Sequence, residues 1–151
     1  MSDIKVSFHS TEQVDDSLLK FAVIAAVYKG KWIFCRHKER STYEIPGGHR
    51  ESGEAISDTA RRELYEETGA ESFTLSPICP YSVTREAAPS YGMLFYAEVS
   101  VLSNLPETME MAEVQLFDKL PVKLTYPHIQ PYLFEKARVY QRLYFSNSST
   151  L

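Results

Sequence analysis

The sequence predicts an α/β fold: a mixed β-sheet covered by helices. Three observations point there. β-rich runs alternate with a segment of helical periodicity and a second one near the C-terminus, the pattern of strands layered against helices. FAVIAAVY (21–28) and KWIFCR (31–36) flank Lys29-Gly30 as a hairpin, so at least part of the sheet is antiparallel. The length of 151 residues, 44% of them hydrophobic, suits one domain, residues 1–151, with a core that needs no covalent staples.

Taken in order, the hairpin is followed by YEIPGG (43–48), a short strand stopped by Pro46 and two glycines. A helix is expected from about 54 to 68, with Gly69 as its C-terminal stop. SFTLSPIC (72–79) and YGMLFYAEVSVL (91–102) read as strands, and CPYSVTREAAPS between them reads as a loop because of its two prolines. EVQLFD (113–118) is a further strand, and a helix is expected over roughly 129–145. The polar tail SNSST continues none of these patterns, and the chain has no internal repeat.

Charge and cysteine content narrow the function classes. The formal net charge is −4, against the basic surplus of a nonspecific nucleic-acid binder, so no stable nucleic-acid partner is expected. A phosphate ligand would meet a repulsive field unless something neutralised it. Cys35 and Cys79 are far apart, fit no paired-metal spacing and suggest a reduced, cytoplasmic setting. MSDIKVSFHSTEQVDDS lacks a signal-peptide core, and the longest apolar run, Phe21 to Tyr28, is too short to cross a bilayer, so no membrane partner is expected. Oligomeric state is not encoded in any of these features.

The most informative stretch is RRELYEETG, residues 61–69. Glu63, Glu66 and Glu67 are neighbours on a helix, a spacing at which like charges repel. A solvated charged face would put them opposite Ile56, Ala60 and Leu64. With Ile56 at zero and about 100° per residue, the apolar direction lies near 40°, Glu67 near 20° and Glu63 near 340°. Glu66 sits on the flank near 280°, within reach of Arg62 near 240°, while Arg61 points away. One arginine does not balance three partly buried carboxylates. A divalent cation does, and an all-oxygen donor set favours Mg²⁺, with Mn²⁺ as the alternative. Upstream, PGGHRESGE (46–54) lets the backbone turn tightly and can bring the Gly48 carbonyl to the same ion.

GHRESGEAISDTARRELYEETGA (48–70) resembles the Nudix box: Gly, five residues, Glu, seven residues, then Arg-Glu-aliphatic-any-Glu-Glu-any-Gly-aliphatic. Gly48, Glu54, Arg62, Glu63, Leu64, Glu66, Glu67 and Gly69 fall in register, and Ala70 stands for the final aliphatic residue. YEIPGG before the box and EMAEVQLFDKLP after it are similar to the flanking family segments, with Leu116 where many members carry Trp. The resemblance implies an α/β/α sandwich with a mixed sheet and hydrolysis of a nucleoside diphosphate linked to another moiety. It implies that Gly48, Glu63, Glu66 and Glu67 hold magnesium, that Arg62 orients the carboxylates, and that Glu54 supports the loop or reaches a metal through water.

Divalent ions would neutralise a pyrophosphate and acidify an attacking water, leaving positioning and electrostatics to the protein. Glu66 is the first candidate for the general base, with Glu110 or Glu113 as alternatives or further ligands. Arg36, Lys38, Arg40 and Arg50 are candidate phosphate contacts, with solvated surface charge the competing reading for at least two of them. His49 reads as an exposed loop residue. Arg85 and Glu86, in the stretch from Tyr81 to Tyr91, are candidates for choosing the base. The leading substrate is a (d)NTP or an oxidised nucleotide such as 8-oxo-dGTP. The residues about sixteen positions after the box, Arg85 to Ala87, lack the Pro or Tyr that marks dinucleotide and sugar-nucleotide hydrolases, which disfavours ADP-ribose. Two other readings stay open: a nucleotide sensor that does not cleave, and an isoprenoid-diphosphate isomerase, for which neither cysteine has a recognisable catalytic setting.

Overall fold

The computed structural model describes residues 3–107 and 110–145; the tail SNSST lies outside them. The strands are β1 (Lys5–Phe8), β2 (Leu19–Tyr28), β3 (Lys31–His37), β4 (Gly47–His49), β5 (Ala70–Thr84), β6 (Pro89–Leu102) and β7 (Met111–Phe117). The helices are α1 (Ile56–Thr68) and α2 (Gln130–Tyr144). One sheet runs in the order β1-β5-β6-β2-β3-β7, with β4 paired to β2. β2 and β6 are parallel and the other strand pairs antiparallel, so the sheet is mixed as expected.

β2 carries near-continuous apolar character because both its faces are covered. Ala22, Ile24 and Ala26 join Ala60 and Leu64 of α1 in one core cluster. Ala25 and Val27 join Leu133, Phe134 and Ala137 of α2 in the other. This is the α/β/α sandwich. At the β2–β3 turn Lys29 and Gly30 both have positive φ, 52° and 79°, the requirement of a tight type I′ hairpin.

That hairpin then splits, and the split makes the site. Only Val27 and Tyr28 pair with β3, at Trp32 and Lys31. Farther back, Phe21, Ala22 and Val23 pair with His49, Gly48 and Gly47 of β4 instead. The expected strand 43–48 is therefore two pieces. Tyr43 and Glu44 make isolated bridges to Leu124 and Cys35, and Pro46, which cannot donate, separates them from β4.

The expected loop 79–90 is a correction. β5 continues through Thr84 and β6 begins at Pro89, leaving a turn of residues 85–88. Pro77 stands at a register shift of β5, Pro80 pairs with Met93 while its carbonyl accepts the His9 N–H at 3.0 Å, and Pro89 is the first residue of β6, a position that tolerates proline. β1, which no sequence pattern announced, pairs Lys5–Phe8 with Thr84–Tyr81. α1 stops where predicted. Gly69 has φ 83° and its N–H bonds the Tyr65 carbonyl at 2.8 Å, while a Cβ there would strike the Ser103 and Asn104 carbonyl oxygens.

Candidate active site

A cleft of about 670 Å³ opens where β3 and β4 part, floored by the sheet and flanked by the loop before α1 and the N-terminal end of α2. At one end it is lined by Gly47, Gly48, Glu51, Arg62, Glu63 and Glu67. The helical wheel is reproduced: Glu63 and Glu67 leave α1 on the side that faces β4. The Glu67 Oε1 accepts the Gly47 N–H at 2.9 Å. Gly48 lies so close to Glu63 that a Cβ would overlap the carboxyl carbon and both oxygens, so glycine is required for that approach.

Arg62 organises the acidic loop. Its Nε donates to Glu54 at 2.7 Å, Nη1 to Glu63 at 3.0 Å and Glu66 at 3.3 Å, and Nη2 to the His49 carbonyl at 3.0 Å. Glu51 stands 3.6 Å from Nη1. Glu54 also accepts the Glu51 N–H and the Thr59 hydroxyl, at 3.0 and 2.7 Å, which ties the loop to the helix start. These bonds, Arg62 foremost, hold the Glu54 carboxyl down at about 2.

Glu67 is different. Among the described residues no arginine, lysine or histidine pairs with it. Burial is the main reason its carboxyl is pushed up to about 8, and Glu63, Glu44 and Glu110 add like-charge repulsion against the pull of the Gly47 N–H. Burial also raises Glu63, against Arg62. Three acidic, histidine or cysteine side chains do not stand close enough to form a ready-made metal cage anywhere among the described residues. Arg62 draws Glu63 and Glu66 toward itself, and the Gly47 N–H anchors Glu67. The donor chemistry nevertheless suits a hard divalent ion: half-buried carboxylates on one cleft wall, one of them without a cation among the described residues, and a glycine cradle beside them.

The other sequence candidates separate. Glu66, expected at the site, is held at the flank by Arg62 and does not line the cleft. Glu110 lines it, its side chain 81% exposed. Glu113 does not: its carboxylate is taken by the Arg36 Nε and the Tyr43 hydroxyl, both at 2.9 Å. Arg36 is held in that pairing and does not line the cleft. Arg50 is likewise committed, donating to the Glu54 carbonyl at 2.7 Å and to the Asp16 carbonyl and carboxylate at 2.8 Å. Lys38 lies outside the lining, its N–H bonded to the Glu110 carbonyl at 3.0 Å. Arg85 lines the cleft and Glu86, on the exposed 85–88 turn, does not. Arg40 and His49 also line it, His49 with its ring 4.5 Å from that of Phe21.

The cleft also holds residues that sequence reasoning missed: Glu44, Tyr126 and Gln130. Tyr126 meets Arg40, whose guanidinium lies 5.9 Å from the ring centroid. Gln130 is 6% exposed and accepts the Ile45 N–H at 2.8 Å. Among the described residues the Glu44 Oε1 is covered from water and has no hydrogen-bond partner, a state that costs about 1–3 kcal/mol for a polar group. Glu44 lay within YEIPGG and Gln130 within the helix expected over 129–145, but neither was read as a site residue.

The NUDIX domain model matches residues 18–142, and the chain belongs to that family. Among curated proteins it is 36% identical over 107 residues to the ADP-ribose pyrophosphatase of Bacillus subtilis (strain 168), covering 68% of this chain and 57% of that one. It is 32% identical over 98 residues to YtkD of the same organism, which is provisionally named an 8-oxo-dGTP diphosphatase, covering 65% of this chain and 61% of that one. The matched parts thus span about three-fifths of those relatives' lengths. The crystal structure of a mutant of the Bacillus subtilis pyrophosphohydrolase BsRppH superposes with a TM-score of 0.73 at 24% identity, covering 92% of each chain, and supports the fold. No helix among the described residues is long and apolar enough to cross a membrane.

Proposed function

We propose that the chain is a divalent-cation-dependent pyrophosphohydrolase acting on a nucleoside diphosphate derivative, foremost a (d)NTP or an oxidised nucleotide such as 8-oxo-dGTP. The observation that carries this reading is Glu67, a cleft carboxylate without a cation partner among the described residues, set beside Glu63 and the Gly48 cradle. The family assignment and the relative named for 8-oxo-dGTP support it. The relative named for ADP-ribose makes that nucleoside diphosphate sugar the second reading, although Arg85 to Ala87 lack the marker residues.

Glu63, Glu67 and the Gly48 carbonyl would hold Mg²⁺ or Mn²⁺, with Glu66 joining from the flank. The ion supplies charge neutralisation and acidification of water when bound. Arg62 keeps Glu63 and Glu66 oriented and ties the box loop down through Glu54. Of the three carboxylates weighed as general base, Glu110 is the one that both lines the cleft and escapes a short ion pair. We assign it that role, with Arg85 placed for a phosphate or base contact.

The test is protein dialysed against chelator and assayed with and without Mg²⁺ on (d)NTPs, 8-oxo-dGTP, ADP-ribose and isopentenyl diphosphate. Metal-dependent release of pyrophosphate or phosphate from a nucleotide is expected. Full activity in metal-free protein sinks the metal mechanism. Binding of nucleotides with no cleavage selects the sensor reading, and turnover of isopentenyl diphosphate alone selects the isomerase.

A further inference from the structure

Two arginines hold the loop between β4 and α1. Arg62, which lines the cleft, takes the Glu54 carboxylate with Nε at 2.7 Å and Nη2 at 3.0 Å. Arg50, which does not line the cleft, takes the Glu54 carbonyl with Nε at 2.7 Å. Glu54 is thus fixed through its side chain by one guanidinium and through its backbone by the other.

The rest of the Arg50 fork reaches away from the loop. Nη1 donates to the Asp16 carbonyl at 2.8 Å and the Leu19 carbonyl at 3.2 Å, and Nη2 to the Asp16 carboxylate at 2.8 Å. The Arg50 N–H bonds the Lys20 carbonyl at 2.8 Å. One residue therefore ties the box loop to the segment that leads into β2, more than thirty residues upstream. Three of the four side-chain acceptors are backbone carbonyls. The fourth, Asp16, is 69% exposed, and an exposed ion pair contributes little. A planar guanidinium meets carbonyls in several directions at once, which the single nitrogen of lysine does not.

α1 has no side-chain cap at Ala55 to set its start. Its first turn is tied down through Glu54, which accepts the Thr59 hydroxyl at 2.7 Å. Arg62 in turn donates to Glu63 and Glu66, at 3.0 and 3.3 Å. A continuous run of hydrogen bonds thus leads from Asp16 and Leu19 through Arg50, Glu54 and Arg62 to the carboxylates of α1.

We propose that Arg50 is a positioning residue of the metal site. It makes residues 16–19 the outer support of the box loop, and so holds Glu54, Arg62 and, through them, Glu63 where a cation can use it. This inference rests on the metal reading above and adds a residue outside the cleft on which that site depends.

The test compares wild type with Arg50→Met, Arg50→Lys and Asp16→Ala, all chelated, by thermal midpoint, hydrogen-exchange NMR and Mn²⁺ titration. The amides to follow are those of Glu51 and Glu54, which bond to the Glu54 Oε1 and the Glu51 carbonyl at 3.0 Å each. In Arg50→Met both should exchange at least about tenfold faster, and Mn²⁺ should bind at least about tenfold more weakly. Amides of β2 and β6 should keep their protection, and the midpoint should stay within a few degrees of wild type. Arg50→Lys should follow Arg50→Met, and it carries the comparison if Arg50→Met does not fold. Asp16→Ala leaves all three carbonyls and should stay within about threefold of wild type. Wild-type Mn²⁺ affinity in folded Arg50→Met overturns the inference. So does faster exchange spread evenly over the sheet, the mark of a global loss of stability. Wild-type behaviour of Arg50→Lys overturns the role of the fork. If the wild type binds no Mn²⁺, the metal reading fails by itself and the Glu51 and Glu54 amides decide whether Arg50 positions the loop. Faster exchange in the variants supports it and unchanged exchange overturns it.

Discussion

Glu67→Gln lowers kcat by at least about a hundredfold and leaves the protein folded. Gln keeps the shape of the side chain and an oxygen for the Gly47 N–H, which Glu67 accepts at 2.9 Å. It removes the charge that a divalent ion needs. The same change stabilises the metal-free protein. In the fold the Glu67 carboxyl titrates at about 8, above its ordinary value of 4.5, because burial disfavours the charged form. A carboxyl with a raised folded-state pKa holds its proton more tightly folded than unfolded. Stability is then highest below about 4.5 and falls as pH rises toward about 8. Gln has no proton to lose, so the rise in thermal midpoint over wild type should grow from pH 5 to pH 8 in chelator. Melting curves across that range check it: a gain that does not depend on pH shows that Glu67 is not buried against its neighbours as described, and near-normal turnover removes it from the site.

Gly48→Ala loses activity out of proportion to stability. The added Cβ would occupy the space of the Glu63 carboxyl group, which is the far end of a flexible side chain and can swing aside. The fold tolerates that movement, but Glu63 leaves its place beside Glu67, and misplacement of a positioned group costs rate steeply. We expect a loss of at least about thirtyfold in kcat/KM with a thermal midpoint within a few degrees of wild type. Gly47→Ala is the control, because its Cβ would meet the backbone at Ala22 and Val23, which cannot swing aside. It should lose stability first. If Gly48→Ala is as active as wild type, the cradle has no part in the reaction.

The acid helix was legible because its information is local. Helical geometry alone puts Glu63 and Glu67 beside Ile56, Ala60 and Leu64, and the structure keeps them there against β4. The sandwich was legible too, from strand runs that alternate with helices and from a hairpin with a clear turn. β1 was not, because KVSF is four residues long and exists as a strand only through its pairing with β5. Pro80 and Pro89 read as loop, since sequence does not reveal that Pro80 pairs with Met93 inside β5 and that Pro89 only opens β6. Arg36 and Arg50 carry the right chemistry for phosphate, but their partners, Glu113 and Asp16, lie 77 and 34 residues away. Gln130 and Ile45, its hydrogen-bond partner beside Glu44, are 85 residues apart, and only the closure of α2 over the sheet brings them to one wall.

The central claim is that the carboxylates of α1 hold a divalent ion in the cleft, and Mn²⁺ binding followed by electron paramagnetic resonance tests it most directly. Chelated wild-type protein titrated with Mn²⁺ should deplete the free-ion signal at low ion excess, without nucleotide present. The Glu63→Gln/Glu67→Gln double variant, shown folded by its melting curve, should leave that signal close to that of Mn²⁺ in buffer. Undiminished binding in the folded double variant contradicts the account.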